Sequence, residues 1–359
     1  MRVLLNTSPL TDGNNDRGIG LYTRQLLAAL RDFSPDGESL VMQATHEFQE
    51  TIISSQRDFD LVHYPFFDFF FATLPTDHKL PFVVTIHDVI PLLFPKEYPS
   101  GIKGGVRLLR QKWAIKKAAA VITDSHSSKE GIINTLGIPA NLIHVVPLAG
   151  NPAIVELSES QARRYEAQLQ LPKKYIVYVG DINYNKNLPV LLLALTQLPE
   201  DLHLCVVSRT FGNESIPEGQ RLSNIIREND LESRVHILDI PRDAPQMLSA
   251  VLQQSVALVQ PSLWEGFGLP VLEAFQAGAV VVSSNAGSLP EVAGSAAIFT
   301  EPTIIGLVTG IEKALKLRGE DRQNLIELGR QQARKFSWSK TAQLTYQVYE
   351  EVLAEKRIL

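Results

Sequence analysis

Residues 260–278 read QPSLWEGFGLPVLEAFQAG and set two carboxylates, Glu265 and Glu273, on either side of a glycine-aromatic-glycine turn that enters a helix. Pro270 suits the first helical position, where its missing N–H costs nothing. The backbone amides at such a helix start favour an anion, most readily a phosphate. Gly266 and Gly268 let the backbone approach a ligand closely. On this reading Glu265, before the helix, accepts hydrogen bonds from sugar hydroxyls, and Glu273, about one turn inside, faces the same opening. The competing reading is that both acids only complement the positive end of the helix dipole. That explains the acids and leaves the glycines unexplained.

Other residues point the same way. Lys186, in NYNKN, follows an expected strand. An ammonium there can neutralise a bound phosphate and stabilise charge that develops on it; a solvated surface lysine is the alternative. His87 and Asp88 end the run FVVTIHD. An imidazole at a strand end can hydrogen-bond a sugar hydroxyl and support charge near an anomeric carbon, with Asp88 orienting it; a satisfied structural histidine is the alternative. DRGIG (16–20) opens a helix but is not G-x-G-x-x-G, so it gives little support for a nicotinamide-binding domain. SHSSKE reads as a helix N-cap from Ser125 or Ser127. Asp58 and Asp60 in DFD look like a carboxylate pair, yet no further ligand spacing supports a cation, and no metal site is expected.

The elements that must position these residues follow a simple alternation. Short β-branched runs bounded by turn signals alternate with stretches of helical periodicity, the pattern of parallel sheets with crossover helices. Strands are expected at 2–6, 39–45, 60–64, 82–88, 120–125 and 143–147, and again at 175–181, 202–208, 234–239, 256–262, 279–284 and 296–300. Helices are expected at 19–32 and 104–119 among others. PLAGNPAIVEL (147–157) breaks the periodicity with Pro, Gly and Asn and is the expected hinge. Leu344, Val348 and Leu353 predict an amphipathic terminal helix over 338–359. The α/β reading is therefore two doubly wound domains, 1–155 together with 338–359, and 156–337, facing a cleft, with ligands outside the carboxyl ends of the strands.

At 359 residues the chain exceeds the usual size of a single core. Its composition, 45% hydrophobic and 20% charged, is that of an ordinary globular protein. One cysteine, Cys205, excludes an internal disulfide framework and fits a reducing, cytoplasmic compartment. No run approaches the length of a spanning helix, and the start is too short in apolar residues for a secretory signal. A formal net charge of −5 argues against nucleic acid as a general partner.

The stretch PSLWEGFGLPVLEAFQAGAVVVSSNAGSLPEVAG resembles the E-x7-E signature of retaining glycosyltransferases of family 4. The likeness extends, in order, to DRGIGLYTRQLLAAL, VVTIHDVIPLLFP, VITDSHSSKEGI and YVGDINYNKNLPVLLLAL, and so covers nearly the whole chain. It implies the GT-B fold of two Rossmann-like domains with the C-terminal helix crossing back to the first, an acceptor-side first domain, a nucleotide-sugar-binding second domain, and no metal or other cofactor. It also implies that Glu265 contacts hydroxyls of the transferred sugar and Glu273 the ribose, and that the amides of Gly266, Phe267, Gly268 and Leu269 hold sugar and diphosphate. Gly18 and Gly20 fall near the donor diphosphate or the acceptor, and His87 on the family's histidine. Relatives usually carry an arginine where Asp181 or Asn185 stands here, so one phosphate-binding cation is missing; Asn185 and Arg209 are expected among the donor-binding residues, with Arg209, Arg17 or Arg242 a candidate replacement for the cation.

The implied activity is transfer of a hexose, mannose or glucose, from GDP-mannose or UDP-glucose to a glycan or lipid-linked acceptor, with hinge closure excluding water. A sugar-nucleotide epimerase or hydrolase of the same fold, or a non-catalytic partner that binds a nucleotide sugar, are the alternatives. YPFFDFFFATLP (64–75) and the basic segment KGGVRLLRQKWAIKK (103–117) suggest a surface that lies against anionic lipid at the inner face of a membrane. The opposing reading buries the aromatics and lays the helix on the sheet.

Overall fold

The computed structural model describes residues 1–11, 18–33, 40–45, 58–77, 79–241 and 243–358, with the side chains of the last four of these left aside. Arg17 and Arg242 lie outside the described residues. The chain divides into two compact units, Met1–Leu148 with Phe336–Leu359, and Ala149–Lys335. The change of unit therefore falls at 148/149, inside the expected hinge stretch and earlier than 155/156.

The first unit holds a six-stranded sheet in the order β2-β1-β3-β4-β5-β6, formed by β1 (Arg2–Asn6), β2 (Val41–Thr45), β3 (Leu61–Tyr64), β4 (Phe82–Thr85), β5 (Ala120–Thr123) and β6 (Ile143–Val145). Every pairing is parallel, for example Val3 opposite Leu61 and Val83 opposite Ala120. β3, β4 and β5 are buried along their whole length, as the near-continuous apolar runs require of a parallel sheet covered on both faces. The second unit repeats the plan in the order β12-β11-β10-β7-β8-β9, with β7 (Tyr175–Val179), β8 (His203–Val207), β9 (Val235–Leu238), β10 (Leu258–Gln260), β11 (Val281–Ser284) and β12 (Ile298–Thr300). Each unit has its own core, one around Leu4, Val84 and Val121, the other around Ile176, Leu191 and Val282.

All twelve expected strands are present, but all except the first are shorter at one or both ends. The run 82–88 is a strand only over 82–85, 120–125 only over 120–123, and 256–262 only over 258–260. Hydrophobicity continues past the point where a neighbouring strand ends, and without a neighbour the backbone leaves the ladder. The released residues include His87, expected to do chemistry, together with Asp124, Pro261 and Ser262, which the sequence alone did not mark.

Helix boundaries follow local chemistry. The helix His126–Leu136 starts at Ser125, whose Oγ accepts from the Ser128 amide at 3.0 Å, and stops at left-handed Gly137. The helix expected at 104–119 runs over Gly101–Ile115. The terminal helix Trp338–Ile358 packs in the first unit, as the fold resemblance requires. Its buried face includes Ala342, Thr345, Tyr346, Val348, Tyr349 and Val352; of the expected stripe Val348 is in the core, while Leu344 and Leu353 are only half-buried. The two tyrosines displace that face because they have partners: the Tyr346 ring lies 5.2 Å from that of Phe33, and Tyr349 donates or accepts at His63. Among the described residues no helix is long and apolar enough to cross a membrane.

Candidate functional site

In the second sheet the chain begins at β7, runs outward through β8 to β9, and returns to place β10 on the other side of β7. The strand order thus reverses between β7 and β10, the position where open α/β sheets bind ligands. Lys186 follows β7 and Glu265 follows β10, and the two side chains meet there. Lys186 Nζ donates to both Glu265 oxygens at 2.8 Å. Gln260 Nε2 at 2.7 Å and Ser262 Oγ at 2.6 Å also donate to Oε1, so the buried carboxylate carries four hydrogen bonds.

The loop that presents Glu265 is clasped from both sides. Asn185 accepts from the Leu263 amide through its carbonyl at 2.7 Å and donates through Nδ2 to the Trp264 carbonyl at 3.0 Å. Asn187, left-handed at φ 58°, donates to the carbonyls of Pro261 and Pro302. Ser288 Oγ donates to the carbonyls of Glu265 and Phe267 at 3.0 and 2.8 Å. Gly287 sits so close that a Cβ would stand 2.7 Å from the backbone N and O of Glu265, and its φ of +59° admits few other residues. Asn185, expected to bind the donor, is instead buried and spent on this clasp. None of Gln260, Ser262, Asn187, Gly287 and Ser288 was singled out from the sequence; the only signal was their closeness to the E-x7-E stretch or to NYNKN.

The helix Leu269–Gln276 begins one residue before the expected Pro270, so the proline takes the second position. Gly268, at φ +101°, precedes it with no side-chain cap, and a Cβ there would meet Leu289 at 2.8 Å. A helix start without a side-chain cap keeps its first amides for a ligand or for water. The question of two acids beside an anion site then has an electrostatic answer. Glu265 is neutralised by Lys186, and burial pushes Glu273 up to about 7 although the Asn151 backbone hydrogen bond pulls the other way.

A consequence for stability follows from Glu273. Its folded pKa is raised, so its contribution is fully present below the ordinary carboxyl value and is lost as pH rises through about 7. Glu273→Gln is expected to stabilise the second unit by about 3 kcal/mol at pH 8 and by little at pH 5. Urea unfolding at the two pH values checks this, and an equal gain at both would remove the buried acid as its cause.

In the first unit His87 lies two residues beyond β4 and Asp124 one beyond the neighbouring β5. Asp124, and not Asp88, orients the ring: His87 Nδ1 stands 2.8 Å from Asp124 Oδ2, while Asp88 Oδ1 accepts from the Ile90 amide. Nε2 faces the Pro65 carbonyl at 3.2 Å, so both ring nitrogens meet acceptors. Burial lowers the His87 pKa, but the Asp124 carboxylate, helped by Asp88 and the Pro65 carbonyl, more than offsets it and holds the histidine above its ordinary value. An imidazolium held this way is a fixed positive group more than a free base. Tyr22 packs edge-on against it at 4.6 Å, and a buried chain continues from Tyr22 through Thr85 (3.1 Å) and His63 (2.9 Å) to Tyr349 of the terminal helix (2.6 Å).

The remaining expectations are placed as follows. Gly18, exposed, and Gly20, buried, open the helix Gly18–Asp32. Arg209 is exposed two residues after β8, next to β7 in the sheet, so the loops bearing Arg209, Lys186 and Glu265 leave three adjacent strands. Asp60 accepts from the Arg2 amide at 2.7 Å and Asp58 stands 3.9 Å from the Arg2 guanidinium. Among the described residues no three His, Cys, Asp or Glu gather where they could hold a metal ion. Cys205 is buried in β8, with burial pushing its thiol up to about 12, and takes no part.

Known proteins resemble this chain in sequence and in fold. The family described as Glycosyl transferases group 1 matches residues 160–332, and Glycosyltransferase Family 4 matches residues 18–151. O-antigen chain mannosyltransferase B of Escherichia coli is 29% identical over 74% of this chain and 69% of its own length. The serotype-specific mannosyltransferase WbdA of the same organism is 27% identical over 81% of this chain, which spans only 36% of it. Among solved structures, Anabaena HepE in complex with UDP and glucose superposes with a TM-score of 0.76 at 17% identity, covering 98% of this chain and 100% of that one. With its two six-stranded parallel sheets and the E-x7-E loop at the switch point, the chain belongs to the GT-B glycosyltransferases of family 4.

Proposed function

We propose that the protein is a retaining hexosyltransferase that takes mannose from GDP-mannose, with glucose from UDP-glucose as the second choice, and passes it to a glycan or lipid-linked acceptor in polysaccharide synthesis. The Lys186–Glu265 pair at the sheet's switch point, beside the uncapped start of the helix Leu269–Gln276, carries this reading. An ammonium with two N–H groups on Glu265 has a third for a diphosphate oxygen, and the Gly268 and Leu269 amides add neutral donors. Glu265 Oε2, which among the described residues accepts only from Lys186, keeps a lone pair for a sugar hydroxyl, and Glu273, close to half-protonated at neutral pH, suits a ribose hydroxyl. His87, fixed by Asp124, is assigned a hydroxyl of the reacting sugar, taken in exchange for the long bond to Pro65. Since Lys186 supplies a positive charge and the amides add neutral donors, the proposed reaction needs no divalent cation. Mannose is preferred because the two Escherichia coli relatives named above are mannosyltransferases; the UDP and glucose in the HepE structure motivate the second choice.

Calorimetric titration with GDP-mannose and UDP-glucose, in EDTA, tests this directly. Micromolar binding of one donor is expected, weakened about tenfold or more in Glu265→Gln because a charged acceptor is lost. With a mannan or lipid-linked acceptor, the product should keep the donor's anomeric configuration by NMR. Absence of binding to any sugar nucleotide, or release of free sugar as the sole product, would overturn the proposal.

A further inference from the structure

The segment 101–117, GIKGGVRLLRQKWAIKK, carries six cations and no acid in a chain whose net charge is −5. Its helix, Gly101–Ile115, has two apolar faces. The inner one, Gly104, Gln111, Ala114 and Ile115, is buried, and Gln111 locks it in place by accepting from the Thr73 and Leu74 amides and donating to the Leu74 carbonyl. That contact also settles part of the aromatic stretch: Phe67 and Phe69 are core residues. The sheet-facing side of the helix is therefore complete without its outer face.

The outer face is the unusual one. At 100° per residue Ile102, Val106, Leu109 and Trp113 fall within an arc of about 60°, and they are 91%, 55%, 70% and 53% exposed. Phe71, 63% exposed, adjoins them, with the Arg107 guanidinium over its ring at 5.7 Å. Lys117 Nζ lies 3.8 Å from the Trp113 ring. Lys103, Arg107 and Arg110 flank the stripe on one side and Lys116 on the other, all exposed. Leu109, Arg110, Trp113 and Thr76 line a depression of about 430 Å³.

We propose that this face docks the protein on an anionic phospholipid bilayer. A contiguous apolar stripe of this kind marks an interaction surface. Its cations select the occupant. A second copy meeting it about a two-fold axis would set the same cation-rich flanks against each other. A bilayer accepts Ile102, Leu109 and Trp113 in its acyl boundary while anionic headgroups meet the flanking lysines and arginines, the usual arrangement of an interfacial amphipathic helix. Tryptophan and basic side chains both favour that depth. The surface stands on its own exposure and charge, independent of the sugar chemistry.

Sedimentation with vesicles tests the proposal on the full chain. The protein is expected to pellet with vesicles of phosphatidylcholine containing about one-third phosphatidylglycerol, not with phosphatidylcholine alone, and to be released as salt rises. Leu109→Glu/Trp113→Glu and, separately, Arg107→Glu/Arg110→Glu should each weaken partitioning by about tenfold or more, while thermal unfolding and donor titration stay as in the parent. Equal pelleting with both vesicle types, no pelleting with either, or unchanged partitioning of both variants would overturn it. So would a concentration-dependent dimer, seen by sedimentation velocity, that Leu109→Glu/Trp113→Glu dissolves, which would assign the face to a second copy.

Discussion

Lys186→Ala is expected to lower kcat by about 10²–10³-fold with a smaller change in donor affinity, because a cation beside a developing diphosphate acts chiefly in the transition state. It is also expected to destabilise the second unit by about 3 kcal/mol, since Glu265 is then a buried carboxylate without its counter-charge. Gln260 and Ser262 still donate to Glu265, which keeps the loss at the lower end for a broken buried pair. The two effects separate in a double-mutant cycle. Lys186→Ala/Glu265→Gln should recover most of the stability and none of the turnover, because the uncompensated charge is gone while the cation remains absent. Steady-state kinetics and urea unfolding of the four proteins provide the check. Full turnover in Lys186→Ala would end the assignment of this lysine to the leaving group.

His63 carries the second large effect, on stability as a function of pH. It is wholly buried between Tyr349 and Thr85, and burial, with a smaller contribution from the His87 charge, lowers its pKa from 6.5 to about 3. The folded unit therefore keeps His63 neutral while the unfolded chain takes up a proton below about 6.5. Stability of the first unit is full above that value and falls by about 4 kcal/mol as pH drops to about 3. In His63→Gln, which has both an acceptor and a donor for the same neighbours, this part of the slope should vanish. Hydrogen exchange of the β3–β4 ladder at pH 7 and pH 4 measures it, and an unchanged slope in the variant would assign acid sensitivity elsewhere. The buried chain through His63 also ties the terminal helix to Tyr22 and His87, so the same substitution reports whether that helix is held from below.

Much of the architecture was legible because parallel sheets leave a coarse signature. All twelve strands, the terminal helix and the break near 147–157 followed from periodicity and turn residues alone. Strand ends did not, because a strand stops where its neighbour stops and that partner is distant in sequence. The terminal helix was recognised and Val348 is buried as expected, but Leu344 and Leu353 are only half-buried, since Tyr346 and Tyr349 bury instead through a ring contact and a hydrogen bond that no local hydropathy records. The oriented histidine shows the same limit. Asp88 is adjacent in sequence, but Asp124 is adjacent in space because β4 and β5 are neighbours.

The sequence by itself determined the residue types at the candidate site, two acids and a lysine around a glycine turn, together with the doubly wound plan and the family. Only the tertiary structure decided that Lys186 neutralises Glu265, that Asn185 is spent on a clasp, that Gly287 must lack a side chain, and which face of the helix Gly101–Ile115 meets solvent. The physical reason is common to all four. Local spacing fixes what a residue offers, whereas pairing, burial and pKa depend on atoms brought together from far along the chain, and those positions are set by strand order.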